Sequence, residues 1–303
     1  MALADSRNEI IDGALETIGV KAADESAQAS DTLTAKKFLN RMVKRLQSTG
    51  SHLWTENLAT LFISTGVREY TIGSTADATE SFSQTTTNVA AVTGANKVFL
   101  TSTTGILEGE QLGVRLDDGA INFSTVIQVA ATFVTFEDVL VSDAASGNVV
   151  YFYTTRIGKA LRIPDARRKQ SGQEIQMIQL GRMDYLDLPN KDNQGTPVQF
   201  YYQPRQDTGD LFLWPAPAST ETLINFTYYK PLDVFDDSDD QAEFPDEWIE
   251  ALVLNLAVRL APVFSQPIPP ELRENAIQSA NDALDWDQGD ASVYFAYSET
   301  RGQ

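Results

Sequence analysis

The chain changes character abruptly near Ser74 and changes back near Tyr153. Between these points Thr, Val, Ser and Gly dominate, and the only bases are Lys97 and Arg115. β-Branched and aromatic side chains suit a pleated, half-buried surface. Here they fall in short runs at 98–100, 111–116, 123–129, 133–136 and 149–153. Turn chemistry such as Thr104-Gly105, Asp117-Asp118-Gly119 and Ser146-Gly147 divides the runs. Five or six short strands at near-regular spacing predict a small barrel or sandwich. A stretch so unlike its flanks reads as a domain inserted into a host that resumes at Arg156. Such insertions are tolerated where two chain ends lie close at a surface turn.

The host opens with helical periodicity. Ile10, Ile11, Ala14, Leu15 and Ile18 share one face, with Gly19 as a stop, and a second helix from about Asp31 carries Leu33, Phe38, Leu39, Met42, Val43 and Leu46. Residues 59–64 and 68–72 read as short extended pieces. After the insert, 173–180 reads as extended or as the start of a short helix, and 183–186 as helical. Residues 198–203, 210–214 and 223–230 read as strands, the second ended by Trp214-Pro215-Ala216-Pro217, which cannot continue a ladder. Then comes a well-bounded helix. Pro245 suits its first position, Asp246 and Glu247 meet the positive end of its dipole, and Trp248, Ile249, Leu252, Val253, Leu256 and Leu260 recur at helical spacing before Pro262. A last helix over 271–286 presents Leu272, Ala276, Ala280 and Ala283, small enough for close packing against another helix. The tail, 287–303, has no helical period but carries Tyr294, Phe295 and Tyr297.

At 303 residues the chain can bury roughly three quarters of its unfolded surface, so a substantial core is expected. No apolar run approaches the ~18 residues of a membrane span, and the first residues do not read as a signal peptide. The lack of cysteine excludes disulfides, thiolate metal sites and thiol nucleophiles. Twenty-three bases against 42 acids give a net charge of −19, so the chain's net field does not favour nucleic acid. His52, the only histidine, sits in Gly50-Ser51-His52-Leu53-Trp54, a turn context suited to a cap or surface role. The count also excludes a histidine-built zinc site. Asp236, Ser238, Asp240 and Glu247 match positions one, three, five and twelve of a calcium loop. Gln241, however, stands where its sharp turn needs glycine, and Pro245 interrupts it, so a solvated acidic loop is expected. No phosphate loop or dinucleotide fingerprint occurs, and nothing marks a catalytic acid pair. The chain is expected to be no enzyme and to hold no metal or cofactor.

Two features point to binding. Arg156, Lys159, Arg162, Arg167, Arg168 and Lys169 are opposed only by Asp165. They form a solvated face, or a dock for an acidic surface such as Asp236, Asp237, Asp239 and Asp240 of a neighbouring copy. The second reading suits a heterologous ring. Phosphate contact is a third reading, but the interleaved aromatics of a single-strand platform are missing. The tail aromatics either pack on their own domain or add a strand to another protein.

The order Phe244-Pro245-Asp246-Glu247-Trp248, Ala251-Leu252, then Leu256-Ala257 and Leu260-Ala261-Pro262 resembles the C-terminal helical region of phage head-to-tail adaptors. These are the tail accessory, or packaged-DNA stabilisation, proteins of short-tailed phages. Glu9-Ile10-Ile11, Ala14-Leu15, Leu39-Asn40, Tyr70-Thr71-Ile72-Gly73, Asp184-Tyr185, Tyr201-Tyr202 and Leu213-Trp214-Pro215 fit the same resemblance. It implies an α+β fold: a mainly helical adaptor core with short strands over 1–73 and 156–286, an inserted β domain over 74–155, and an extended tail over 287–303. It also implies a virion protein, with about twelve copies in a ring beneath the portal. The ring would extend the DNA channel without sequence-specific binding, retain packaged DNA and dock the next tail nozzle or fibre protein. On this reading Leu272, Ala276, Ala280, Tyr294, Phe295 and Tyr297 meet the portal, while the basic and acidic segments meet between subunits. The alternative is a tail component that binds or hydrolyses cell-surface glycan through the β insert.

Overall fold

The computed structural model describes residues 6–22, 25–49, 55–73, 77–232, 235 and 244–286. Among them are five α-helices: α1 (Arg7–Thr17), α2 (Ala29–Thr49), α3 (Arg182–Leu186), α4 (Ile249–Leu260) and α5 (Pro270–Trp286). The first nine strands are β1 (Glu56–Phe62), β2 (Glu69–Ile72), β3 (Ala78–Thr79), β4 (Ser83–Thr86), β5 (Lys97–Phe99), β6 (Gln111–Arg115), β7 (Ile121–Val129), β8 (Phe133–Phe136) and β9 (Val149–Tyr153). The remainder are β10 (Arg162–Gln170), β11 (Gln173–Gln176), β12 (Ile178–Gln179), β13 (Gln194–Gly195), β14 (Gln199–Pro204), β15 (Gly209–Trp214), β16 (Ala216–Pro217) and β17 (Leu223–Tyr229). The chain separates into two compact units. Both chain ends, 1–55 and 232–303, contribute to one, and residues 56–231 form the other.

In the first unit α1 starts with a capping box. The Glu9 amide donates to Ser6 Oγ at 3.4 Å, and the Ser6 amide donates to Glu9 Oε2 at 2.6 Å. It ends at Gly19, whose φ of +71° is a conformation glycine adopts without steric cost. Ile10, Ile11, Ala14 and Leu15 of α1, Leu39, Met42 and Val43 of α2, and Trp248, Leu252, Leu256 and Leu260 of α4 form one buried core. Gly13 lets α1 approach α4 closely, since a Cβ there would lie 3.3 Å from Val253 Cγ1. Pro245 sits one step earlier than its sequence position suggests. It precedes a short 3₁₀ turn, Asp246–Trp248, that leads into α4. Asn255 then ties α4 to α5, its Nδ2 donating to the Ala251 and Ala276 carbonyls at 2.8 Å each. Asn40 makes a reciprocal pair with the Phe235 backbone, at 3.2 and 3.1 Å.

The second unit overturns the expectation of a mainly helical core. Among the described residues strand outweighs helix, and the host residues on either side of 83–153 build two sheets with a core of their own. One runs β11-β10-β17-β1-β3 and the other β12-β14-β15-β2. In register, Ala59 faces Phe226 and Leu61 faces Ile224, while Ala166 and Arg168 pair with the same two residues from the other side. These inward positions meet Tyr70, Ile72, Phe200, Tyr202, Leu211 and Leu213 from the second sheet, the alternation of a two-sheet sandwich. The individual strands are legible in the sequence, but not their stacking into a sandwich. Their inward residues form a core without any helix between the sheets.

The third large sheet runs β4-β9-β6-β7-β8-β5. Its outer strands meet through an antiparallel bridge between Thr87 and Leu100, with the Thr101 amide donating to the Thr86 carbonyl at 2.9 Å, so the sheet closes into a barrel. Val98, Leu112, Val114, Val134, Phe136, Leu140 and Val150 are among the residues filling it. Where the chain enters and leaves, Thr79 Oγ1 donates to the Thr155 carbonyl at 2.7 Å.

Candidate interaction site

Barrel and sandwich are joined by an aromatic cluster. Phe62 points away from the sandwich core and is 1% exposed. Its ring centroid lies 5.1 Å from Phe82, 5.8 Å from Phe123, 4.6 Å from Tyr151 and 5.9 Å from Tyr153. Around the cluster, the Thr65 amide donates to the Gly119 carbonyl at 2.7 Å and the Ile121 amide to Ser64 Oγ at 3.2 Å. Burial raises the Tyr153 phenol and the Asp77 carboxyl, the latter opposed by the charge of Arg156. The joint is thus a second hydrophobic core, and it places the barrel on one end of the outer face of the five-stranded sheet.

The basic group lies along and before β10, and the structure divides it. Arg156 reaches Gln111 of the barrel. Lys159 Nζ donates to the Gln206 carbonyl at 2.6 Å. Arg168 turns to the inner side, its Nη1 donating to the Pro197 carbonyl at 3.5 Å. Arg167 and Lys169 share the outer face, where Arg167 pairs with Asp165 at 3.1 Å and Lys169 with Glu174 at 3.9 Å. Arg162 lies across a register shift that falls where Pro164 cannot donate to the ladder. One continuous basic patch therefore does not form. The uncovered part of the outer face holds a groove of 160 Å³ lined by Leu58, Thr60, Asp165, Arg167, Glu174 and Asn225 among others. Its polar groups answer one another: Thr60 Oγ1 donates to Asn225 Oδ1 at 3.0 Å, and Asn225 Nδ2 to Glu174 Oε1 at 2.8 Å.

Among the portal-contact candidates, Ala276 is buried, Leu272 packs against the helical core, and Ala280 lines a small gap with Met42, Leu46 and Trp248. That stripe of α5 is used within the unit. Among the described side chains of α5, the large apolar ones left exposed are Ile277 and Leu284, one heptad apart, and neither stands out in the sequence. Tyr294, Phe295 and Tyr297 lie outside the described residues, as do His52, Asp236, Asp237, Asp239 and Asp240. A groove of 530 Å³ beside α4 and α5 is lined by Glu247, Glu250, Asn275, Gln278 and Asp282. Among the described residues, no group of three metal-ligating side chains converges, and no helix is long and apolar enough to cross a membrane.

The described residues thus present sheet faces, a closed barrel and an exposed helix stripe. The chain belongs to the SU10 adaptor protein family, whose sequence profile it matches over residues 8–296. It is thereby a phage adaptor protein and a virion component. No curated protein matches it. Among solved structures, it is similar to the Gp54 tailspike of Acinetobacter baumannii bacteriophage AP22, in complex with A. baumannii capsular saccharide. That likeness has 16% identity over 26% of this chain and 16% of the tailspike, with a TM-score of 0.23. It is also similar to VP17, a capsid protein of bacteriophage P23-77, at 8% identity over 64% of this chain and 78% of that one, with a TM-score of 0.12.

Proposed function

We propose that this adaptor forms a ring of about twelve copies beneath the portal, where it extends the DNA channel, helps retain packaged DNA and offers a platform to the next tail component. The family match carries the reading, because it spans both units rather than one module. The net charge of −19 per copy supports it: a channel lined with part of that charge repels DNA and lets it slide. In this reading the tail and the outward stripe of α5, Ile277 and Leu284, meet the portal. The outer face of β10 meets the acidic run 233–240 of a neighbouring copy, and the inserted barrel faces outward or toward the tail. Its work is binding and assembly, not chemistry.

Electron microscopy of the full chain mixed with the portal protein of the same genome, beside the chain alone, tests this. A ring that forms on the portal, and is lost when 287–303 are removed or Ile277 and Leu284 become Asp, is the expected result. No association with the portal would overturn the reading.

A further inference from the structure

At one pole of the barrel, segments 89–96 and 139–145 lie side by side. Ala91 and Ala144 exchange both backbone hydrogen bonds at 2.8 Å, Gly94 N donates to the Leu140 carbonyl and Leu140 N to the Ala95 carbonyl, again at 2.8 Å. The amide and hydroxyl of Thr93 both donate to Asp143 Oδ1, at 2.7 and 2.9 Å, and hold its carboxyl below the usual range. The Asp117 amide caps the Asp143 carbonyl at 2.9 Å. This pole is therefore a fixed surface. Leu140 and Ala144 enter the barrel core, whereas Val139, Val141 and Asp143 are exposed. Val139 is 51% exposed and Val141 68%, and Val92, next to the Thr93–Asp143 contact, is 67% exposed.

Grouped valines left in water on a well-tied surface mark an interaction site. Their setting is acidic: Glu137, Asp138 and Asp143 lie on the same stretch of chain, and Asp117 and Asp118 on the turn tied to it. Between 83 and 153 the only bases are Lys97 and Arg115, and the Lys97 ammonium lies over the rings of Phe99 and Phe133, at 5.1 and 4.7 Å. A second copy offering the same pole would bring like charges together, which opposes self-association here. We propose that Val92, Val139 and Val141 form the docking surface for a partner protein whose contact face is apolar at its centre and rimmed by Lys and Arg. Resting on the adaptor reading, this partner is the tail component that joins after the ring.

The test uses phage particles assembled with full-length variants in place of the wild-type chain. Particles are then scored for this chain and for the next tail component, by mass spectrometry and negative-stain microscopy. Both valines are mostly exposed, so Val92→Asp with Val141→Asp should melt like wild type. Its heads should carry this chain in normal amount and lose the next component, with infectivity down about 100-fold or more, as expected for charges buried without partners. Val92→Ile with Val141→Ile should stay infectious, and Glu137→Gln with Asp138→Asn should reduce the salt sensitivity of tail attachment. Normal tails on the Asp variant would overturn the inference. So would loss of the variant from heads, since the pole would then serve the head side. If wild-type chain is itself missing from heads, the adaptor reading falls first.

Discussion

Replacing Phe62 with alanine removes the ring on which four other aromatic rings converge. Phe→Ala in a packed core costs about 3–5 kcal/mol, from lost transfer energy and the cavity left behind. The upper half of that range is expected here, because aromatic pairs add about 0.5–1.5 kcal/mol beyond their buried area and Phe62 makes four ring contacts between 4.6 and 5.9 Å. For a unit running from Glu56 to Pro231, each kcal/mol shifts Tm by roughly 2–4 °C. The substitution should therefore lower the transition of that unit by roughly 8–20 °C. It should also do something that an ordinary core cavity does not. Since Phe62 lies outside both the sandwich core and the barrel core, its loss should uncouple them, and the single endotherm should split into two. Differential scanning calorimetry of wild type, Phe62→Leu and Phe62→Ala reads both effects, with Leu intermediate. A loss below about 1 kcal/mol for Phe62→Ala, with one transition retained, would show that the barrel is held by its backbone ties and not by this cluster.

Three further outcomes follow from other sites. Gly209→Ala places a Cβ 1.9 Å from Tyr202 Oη, whose hydroxyl donates to the Ala160 carbonyl at 2.5 Å. Overpacking and the displaced hydrogen bond should together cost about 2–4 kcal/mol in urea unfolding, and a neutral result would mean the strands shift freely. Asn40→Ala deletes both bonds to the Phe235 backbone and should destabilise the helical unit by about 1–3 kcal/mol, measured as faster amide exchange at Phe235. Burial raises the phenols of Tyr70, Tyr153, Tyr202 and Tyr228, so the native state keeps protons that the unfolded chain gives up. Their stability contribution is whole below the unfolded value of about 10 and is lost as pH rises above it. Absorbance at 295 nm should show these phenols ionising only as circular dichroism is lost. All ten tyrosines titrating together in a folded protein would contradict that.

How much of this was legible depended on whether a residue's partner was near it in sequence. Helices α1, α4 and α5 could be read because their caps and apolar spacing are local. Most strands could be read from β-branched and aromatic runs between turns. Strand β10 could not. Its Arg162, Arg167, Arg168 and Lys169 hide the two inward positions, Ile163 and Ala166, that place it in the sandwich. The five-stranded sheet itself depends on pairing among β1, β10 and β17, strands more than a hundred residues apart in places, and no local periodicity records such pairing. The joint left a clue that was not used. Leu61-Phe62-Ile63 and Tyr151-Phe152-Tyr153 are unbroken apolar or aromatic triplets, and strands buried on both faces produce such runs. For the interaction surfaces, the sequence marked the basic residues and the opposing Asp165 but not Glu174, the partner of Lys169. It marked the small face of α5 but not that α4 already occupies it.

The β unit leaves and rejoins the helical unit through β1 and β17, which are antiparallel neighbours with Glu56 opposite Tyr229. The two crossings thus emerge at the same end of one hydrogen-bonded pair. Tension passed between the two units of such a chain divides over two covalent tethers pulled in the same direction. Neither strand is drawn past the other, and the pair is not peeled open from its free end. Single-crossing linkage would put the whole load on one peptide segment. Here the chain's topology makes the connection two covalent crossings in parallel.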